Sequence, residues 1–229
     1  RVTARLAVLA SGGGSNLQAI FDYFDALGDR RAGDVVLVAS DKPAAGALDR
    51  ARARGIATAL VRTKTHPDGT PLADLLRDAR VDAVVLAGYL RLVPAHVVRA
   101  YAGRMINVHP ALLPAFGGPG MYGHRVHEAV IAAGAVESGA TAHFVDEVFD
   151  HGAIIAQWAV PVLPGDTPGD LAARVLRMEH LLYPRVVQAL AAGRIHPGQP
   201  ARTGRVTHDF TAETDVRQIA QEIEDALDR

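Results

Sequence analysis

Short apolar runs recur along the chain, each followed by a segment whose apolar residues fall at helical spacing. Leu6–Ala10 is the first run, and it ends abruptly in Ser11-Gly12-Gly13-Gly14-Ser15-Asn16. Leu17, Ile20, Phe21 and Phe24 then form the stripe of one helix face. Val35–Ala39 predicts a second strand, Ala44–Arg54 a helix stopped by Gly55, and Ala57–Val61 a third strand. The turn-rich piece His66-Pro67-Asp68-Gly69-Thr70-Pro71 leads into a predicted helix over Leu72–Ala79. Asp82–Ala87 is the clearest buried strand, and a helix over Pro94–Tyr101 follows it. Apolar runs without polar alternation are what strands covered on both faces require. Their alternation with helices predicts an α/β protein with a doubly wound, mostly parallel sheet.

The stretch Met105-Ile106-Asn107-Val108-His109-Pro110 begins as a strand and stops at Pro110, which has no ladder donor. Asn107 and His109 are two residues apart, so both side chains leave one face. In an open α/β sheet, ligands bind beyond the carboxyl ends of the strands. After Pro114 the pattern changes. Ala115–Gly123 is glycine-rich and predicts a loop, and His124–Ala133 predicts a helix. Thr141–Val145 and Ile154–Val162 read as strands joined through Asp146–Gly152, a late antiparallel addition. Thr167-Pro168 opens a long helix whose stripe is Leu171, Val175, Met178, Leu182 and Val186, with Pro184 expected to kink or interrupt it. From about Ile195 the pattern weakens, until Val216, Ile219, Ala220, Ile223 and Leu227 mark a C-terminal amphipathic helix. The expected organisation is one domain over residues 1–195 with a helical C-terminal extension over 196–229.

Composition narrows the function classes. The chain has 229 residues, 49% of them hydrophobic and 21% charged, which suits a globular domain with a sizeable core. A formal net charge of −1 lacks the basic footprint of a nucleic-acid binder. Ala83–Ala87, among the longest apolar runs, falls far short of a membrane span of roughly 20 residues. Leu6–Ala10 is also shorter than the apolar core of a secretory signal, about 7–15 residues, and reads as a strand. There is no cysteine, so there is no disulfide and no thiolate metal site. His127-Glu128 lacks the second histidine of a zinc-protease helix, so no metal is expected. These features fit a cytoplasmic protein acting on small molecules, with no nucleic acid and no membrane among its partners, as a monomer or homodimer.

Three stretches carry candidate chemistry. The turn Gly12–Asn16 lies between a strand and a helix, where free backbone N–H groups and the helix dipole favour an anion. A dinucleotide fingerprint would place a third glycine at Leu17, so a monophosphate suits the turn better, the alternative being a tight strand-to-helix turn with caps. Asn107 and His109 offer an amide and an imidazole side by side. Asp150 is either a carboxylate that orients an imidazole or an ordinary turn aspartate before Gly152. His143 is equally a buried structural histidine or a functional one, and Glu179 alone reads as a surface charge.

Taken together, Ser11–Ile20, Leu86–Arg91, Ile106–Pro114, Ala140–Val145, Asp150–Gly152 and Glu179-His180 resemble the phosphoribosylglycinamide formyltransferases, folate-dependent enzymes of purine synthesis. The Asn-x-His followed by Leu-Leu-Pro is shared by formyltetrahydrofolate-using relatives, and Pro110 with the Gly-Ser-Asn turn points to this branch. The resemblance covers residues from about 5 to 195 and implies a Rossmann-like fold.

It further implies that Asn107, His109 and Asp150 form a catalytic trio. Gly13, Gly14, Ser15 and Asn16 would bind the phosphate of glycinamide ribonucleotide, Glu179 its ribose, and Gly88 would lie beside its amine. Tyr89, Leu90, Arg91, Leu92, Val93, Val145, Asp146 and Glu147 would line the pterin pocket of the co-substrate, 10-formyltetrahydrofolate. Within the same group, a methionyl-tRNA formyltransferase would carry a basic surface, which this neutral chain lacks. A formyltetrahydrofolate hydrolase would have no use for the Gly14-Ser15-Asn16 turn, and a non-catalytic nucleotide-binding module none for His109 and Asp150. Gly69 aligns where some members carry an arginine near the folate tail, leaving Arg62 or Lys64 as substitutes, and the loop 115–123 is longer than in some members.

Overall fold

The computed structural model describes residues 3–61 and 70–228. The folate-tail positions Arg62, Lys64 and Gly69 lie outside the described residues. Among the described residues, eight strands form one sheet: β1 (Ala4–Leu9), β2 (Gly33–Ser40), β3 (Ala57–Leu60), β4 (Ala83–Leu86), β5 (Met105–His109), β6 (Glu137–Phe144), β7 (Ile154–Pro161) and β8 (Arg202–Arg205). Their order in the sheet is β3-β2-β1-β4-β5-β6-β7-β8. The pairs from β3 through β5 are parallel, β6 runs antiparallel to both its neighbours, and β8 is parallel to β7. Strand order therefore reverses between β1 and β4, which opens a crevice at their carboxyl ends.

Among the described residues, seven α-helices cover the sheet: α1 (Ser15–Leu27), α2 (Gly46–Ala53), α3 (Thr70–Asp78), α4 (Ala95–Ala100), α5 (His124–Ala132), α6 (Pro168–Ala191) and α7 (Glu213–Asp228). The apolar runs alternate between two cores. Leu6, Val8 and Ala10 join the core under α1, α6 and α7, whereas Ala7 and Leu9 join the core under α3 and α4. The strand β4 divides in the same way, with Ala83 and Val85 on one side and Val84 and Leu86 on the other. Burial on both faces is why these strands carry no polar alternation.

The helix α6 starts at a capping box, in which Thr167 Oγ1 accepts from Asp170 N (3.2 Å) and Asp170 Oδ2 accepts from Thr167 N (2.9 Å). Its stripe residues Leu171, Val175, Met178, Leu182 and Val186 are all fully buried. Pro184 does not interrupt it: the helix runs through 24 residues. Burial of this stripe on both sides of the proline outweighs the single backbone bond that proline removes. The neighbouring Tyr183 hydroxyl lies 2.7 Å from Leu86 O and ties α6 to the carboxyl end of β4.

Residues beyond Ile195 add to the same unit. The strand β8 pairs with β7, and Gly204 lies so close to Trp158 that a Cβ there would fall 2.1 Å from the ring. Phe210, Ile219, Ile223 and Leu227 join the larger core. Among the described residues, no helix is long and apolar enough to cross a membrane.

Candidate active site

Four chain segments meet at the crevice: the turn after β1, the segment after β4, the end of β5, and the connection from β6 to β7. Together with residues 118–127 and α6 they line a cavity of about 550 Å³. Its polar centre is built on register. Asn107 on β5 pairs directly with His143 on β6, so both side chains project from one face. His143 Nδ1 donates to Phe144 O at 2.8 Å, which leaves Nε2 to accept from Asn107 Nδ2 at 3.1 Å.

His109 is 3% exposed. Its Nε2 lies 2.8 Å from Phe116 O; a carbonyl only accepts, so Nε2 carries the proton. Nδ1 faces Asp150 Oδ2 at 3.5 Å, and Asp150 Oδ1 stands 3.6 Å from His143 Nε2. Burial pushes the His109 pKa below the usual histidine value, although Asp150 and the Phe116 carbonyl pull it upward. The free imidazole is therefore neutral near pH 7, with its bare Nδ1 turned toward a carboxylate. A proton gained at Nδ1 would convert that contact into an ion pair.

Asp150 holds a left-handed backbone (φ 54°), so the connection turns sharply and its carboxylate points back to the end of β5. Its Oδ2 also accepts from Gly118 N at 3.0 Å. Burial raises its pKa, but His143, His109 and the Gly118 N–H more than compensate, and the net value lies below the usual carboxylate range. Two residues on, a Cβ at Gly152 would fall 1.8 Å from Phe144 O, so only glycine fits there.

The other end of the cavity is the start of α1. Gly14 caps that helix with φ 76°, and its α-carbon sits against Ala47, where a Cβ would approach Cα to 2.7 Å. Gly12, Ser15 and Asn16 line the cavity, whereas Gly13 and Gly14, expected at the phosphate, do not: Gly13 O accepts from Arg50 Nε at 2.8 Å and Gly14 lies against Ala47, both on α2. Asn16 Nδ2 donates to Glu179 Oε2 at 3.2 Å, and Asn16 Oδ1 is buried without a partner among the described residues. Glu179 is not a surface charge: it is 6% exposed, and burial pushes its pKa up to about 7. Between these ends, Gly88 (φ 72°), Tyr89, Leu90, Arg91, Leu92, Val93, Val145 and Asp146 line the wall.

Glu147 is not on this wall; it pairs with Arg99 at 2.7 Å and is half exposed. Sequence reasoning also passed over Lys42, Met121, Tyr122 and His127, which line the cavity. His127 is buried, its Nδ1 has no partner among the described residues, and burial takes its pKa down to about 4. The signal for His143 was available in the register opposite Asn107, once β5 and β6 are paired.

A family model described as "Formyl transferase" matches residues 4–187. The chain is 49% identical over 195 residues to a chloroplastic phosphoribosylglycinamide formyltransferase of Vigna unguiculata, covering 83% of this chain and 62% of that relative. It is 40% identical over 194 residues to phosphoribosylglycinamide formyltransferase of Escherichia coli (strain K12), covering 83% of this chain and 88% of that one. Among solved structures, glycinamide ribonucleotide transformylase 1 from Symbiobacterium toebii superposes with a TM-score of 0.77 at 39% identity, over 90% of this chain and 95% of that one. With the family model spanning the sheet from β1 into α6, and with relatives matched across most of their length, the chain belongs to the formyl transferase family.

Proposed function

We propose that this protein transfers the formyl group of 10-formyltetrahydrofolate to the amine of 5-phosphoribosylglycinamide. The observation that carries this reading is the continuity of one cavity. The turn before α1 and Glu179 lie at one end, Asn107, His109, His143 and Asp150 at the centre, and an apolar wall at the other. Its volume of about 550 Å³ lies within the 300–1,000 Å³ typical of small-molecule sites. The names carried by the relatives agree with this reading.

The free N–H groups at the start of α1 suit a phosphate. Glu179 and Asn16 suit ribose hydroxyls, which can both donate and accept. Leu86, Leu90, Leu92, Val93 and Val145 suit the flat ring of the folate. The substrate amine is itself the nucleophile, so no side chain needs to attack. Its electron pair forms the new bond to the formyl carbon, and the carbonyl pair moves onto oxygen. Asn107 offers an amide N–H to that oxygen, and His109 Nε2–H passes from Phe116 O to it. Negative charge beside His109 raises its proton affinity, so the proton shed by the attacking amine is taken up at Nδ1, and Asp150 stabilises the resulting imidazolium until that proton is passed on. The proton shed by the attacking amine leaves with the folate nitrogen as the carbon–nitrogen bond breaks, and Asp150 lies where it can relay that proton. This is an acyl transfer between two nitrogens, and its chemistry calls on no metal.

A steady-state assay with one formyl donor and three acceptors tests the reading. Formylated glycinamide ribonucleotide should form, with neither formyl-methionyl-tRNA nor free formate produced at a comparable rate. Release of formate at the same rate with and without the ribonucleotide would identify a hydrolase instead.

A further inference from the structure

Ser11 lies between the two substrate ends of the cavity and bonds to both sides of the crevice. It closes β1 and immediately precedes the glycine turn. Its backbone N donates to Gly88 O at 3.0 Å, and its Oγ accepts from Leu90 N at 2.9 Å. The two bonds hold residues 88–90 as a hairpin-like clasp on Ser11. The hydroxyl proton is directed elsewhere, to Asp41 Oδ1 at 2.5 Å. Asp41 follows β2, its side chain is 4% exposed, and its Oδ2 accepts from Arg91 Nε at 3.2 Å. Strand ends β1, β2 and β4 are thereby joined by one chain of bonds, from Leu90 N through Ser11 and Asp41 to Arg91.

A hydroxyl suits this place for a specific reason. Oγ must accept from a backbone N–H and donate to a carboxylate at once, which no apolar side chain does. Ser11 is 3% exposed, so water does not easily replace it. Without the hydroxyl, Leu90 N–H and Asp41 each lose a partner in a buried setting.

Building on the function proposed above, we propose that Ser11, held by Asp41, is a positioning residue that fixes the distance between the two substrate sites. One site is the turn that begins at Gly12, one residue after Ser11. The other is the segment Gly88–Leu90 that Ser11 clasps. Neither half of the clasp touches the reacting atoms. Its effect is on alignment: the amine and the formyl carbon meet only if the two segments keep their spacing. A misplacement of about 1 Å can cost on the order of a hundredfold in rate.

The test measures binding and turnover separately in Ser11→Ala, Ser11→Thr and Asp41→Asn. Dissociation constants for each substrate alone come from calorimetry, and kcat comes from formyl transfer at saturation. For Ser11→Ala we expect kcat to fall by at least about tenfold and both dissociation constants to stay near the wild-type values, with a melting temperature lowered by the two lost buried partners but still well above the assay temperature. Ser11→Thr keeps the hydroxyl and should recover most of the turnover. Asp41→Asn keeps an acceptor for Ser11 and should fall between the two, which keeps the inference testable if Ser11→Ala does not fold. Unchanged kcat in Ser11→Ala overturns the inference. So does a loss of kcat matched by equal weakening of both substrates, which marks a general structural role. If wild-type protein transfers no formyl group, the proposed function fails first, and that outcome is separate from either of these.

Discussion

Replacing Asp150 with Asn removes one negative charge and changes little else. Asn occupies left-handed backbone more readily than most residues, so the φ of 54° is tolerated. Its side-chain oxygen can still accept from Gly118 N, now 3.0 Å from Asp150 Oδ2. The lost term is the attraction between the carboxylate and an imidazolium at His109, whose Nδ1 is 3.5 Å away. At an effective dielectric constant of about 20, unit charges at that spacing attract by roughly 4–5 kcal/mol. The Asn dipole recovers part of this, leaving about 3–4 kcal/mol, or about 10²–10³ in rate. The attraction exists only when His109 is charged. Burial keeps the free imidazole's pKa low, so the loss falls on the transition state rather than on substrate binding. Steady-state formyl transfer under saturating substrates should therefore show kcat reduced by at least about a hundredfold. Both substrates should still bind, and the melting temperature should stay close to that of the wild type. A folded Asp150→Asn protein with near-normal turnover would refute the reasoning and return Asp150 to the role of a turn residue.

Three further outcomes are expected. Glu179 has a folded-state pKa raised by burial from 4.5 to about 7, so its contribution to stability is full below about pH 4.5 and is lost as pH rises toward 7. Glu179→Gln should thus gain melting temperature relative to wild type as pH goes from 5 to 8, and parallel curves would contradict the assignment. Asn16→Ala removes the 3.2 Å bond to Glu179 and a polar group at the start of α1; ribonucleotide affinity should fall by about tenfold or more, with folate affinity unchanged in calorimetry. Gly152→Ala places a Cβ 1.8 Å from Phe144 O, so chemical denaturation should show a loss of about 1–3 kcal/mol or more, and turnover should fall as Asp150 shifts.

What the sequence disclosed follows from which forces act locally. The strands β1 and β4 were legible because burial on both faces leaves an unbroken apolar run, and β5 because Met105, Ile106 and Val108 lead up to the stop at Pro110. The start of β6 was not: Glu137, Ser138 and Gly139 carry no strand signal, and Gly139 is demanded by the close approach of Trp158 O. The strand β8 reads Arg-Thr-Gly-Arg and owes its place to pairing with β7 and to Gly204 against Trp158. Pro184 did not interrupt α6 because helix propensity is local and the burial of α6 is not.

At the site, the two-residue spacing alone put Asn107 and His109 on one face. The partnership of Asn107 with His143 needed the register of β5 against β6. The approach of Asp150 to His109 depends on a left-handed turn that no periodicity announces, and it entered the reading through resemblance. Glu179 reads as a surface charge in sequence because only the packing of α6 against α1 buries it beside Asn16. Glu147 went the other way: its neighbours line the cavity, but its own side chain turns out to Arg99.

In the proposed reaction, the cluster at the end of β5 passes a formyl group directly between two nitrogens. Single-turnover transfer from formyl-labelled 10-formyltetrahydrofolate, followed in wild type and in His109→Asn, tests it most directly. The label should appear in the amide of the ribonucleotide product with none in formate, and the variant should slow that step by at least about a hundredfold. Label recovered as formate, or transfer by His109→Asn at the wild-type rate, would contradict the account.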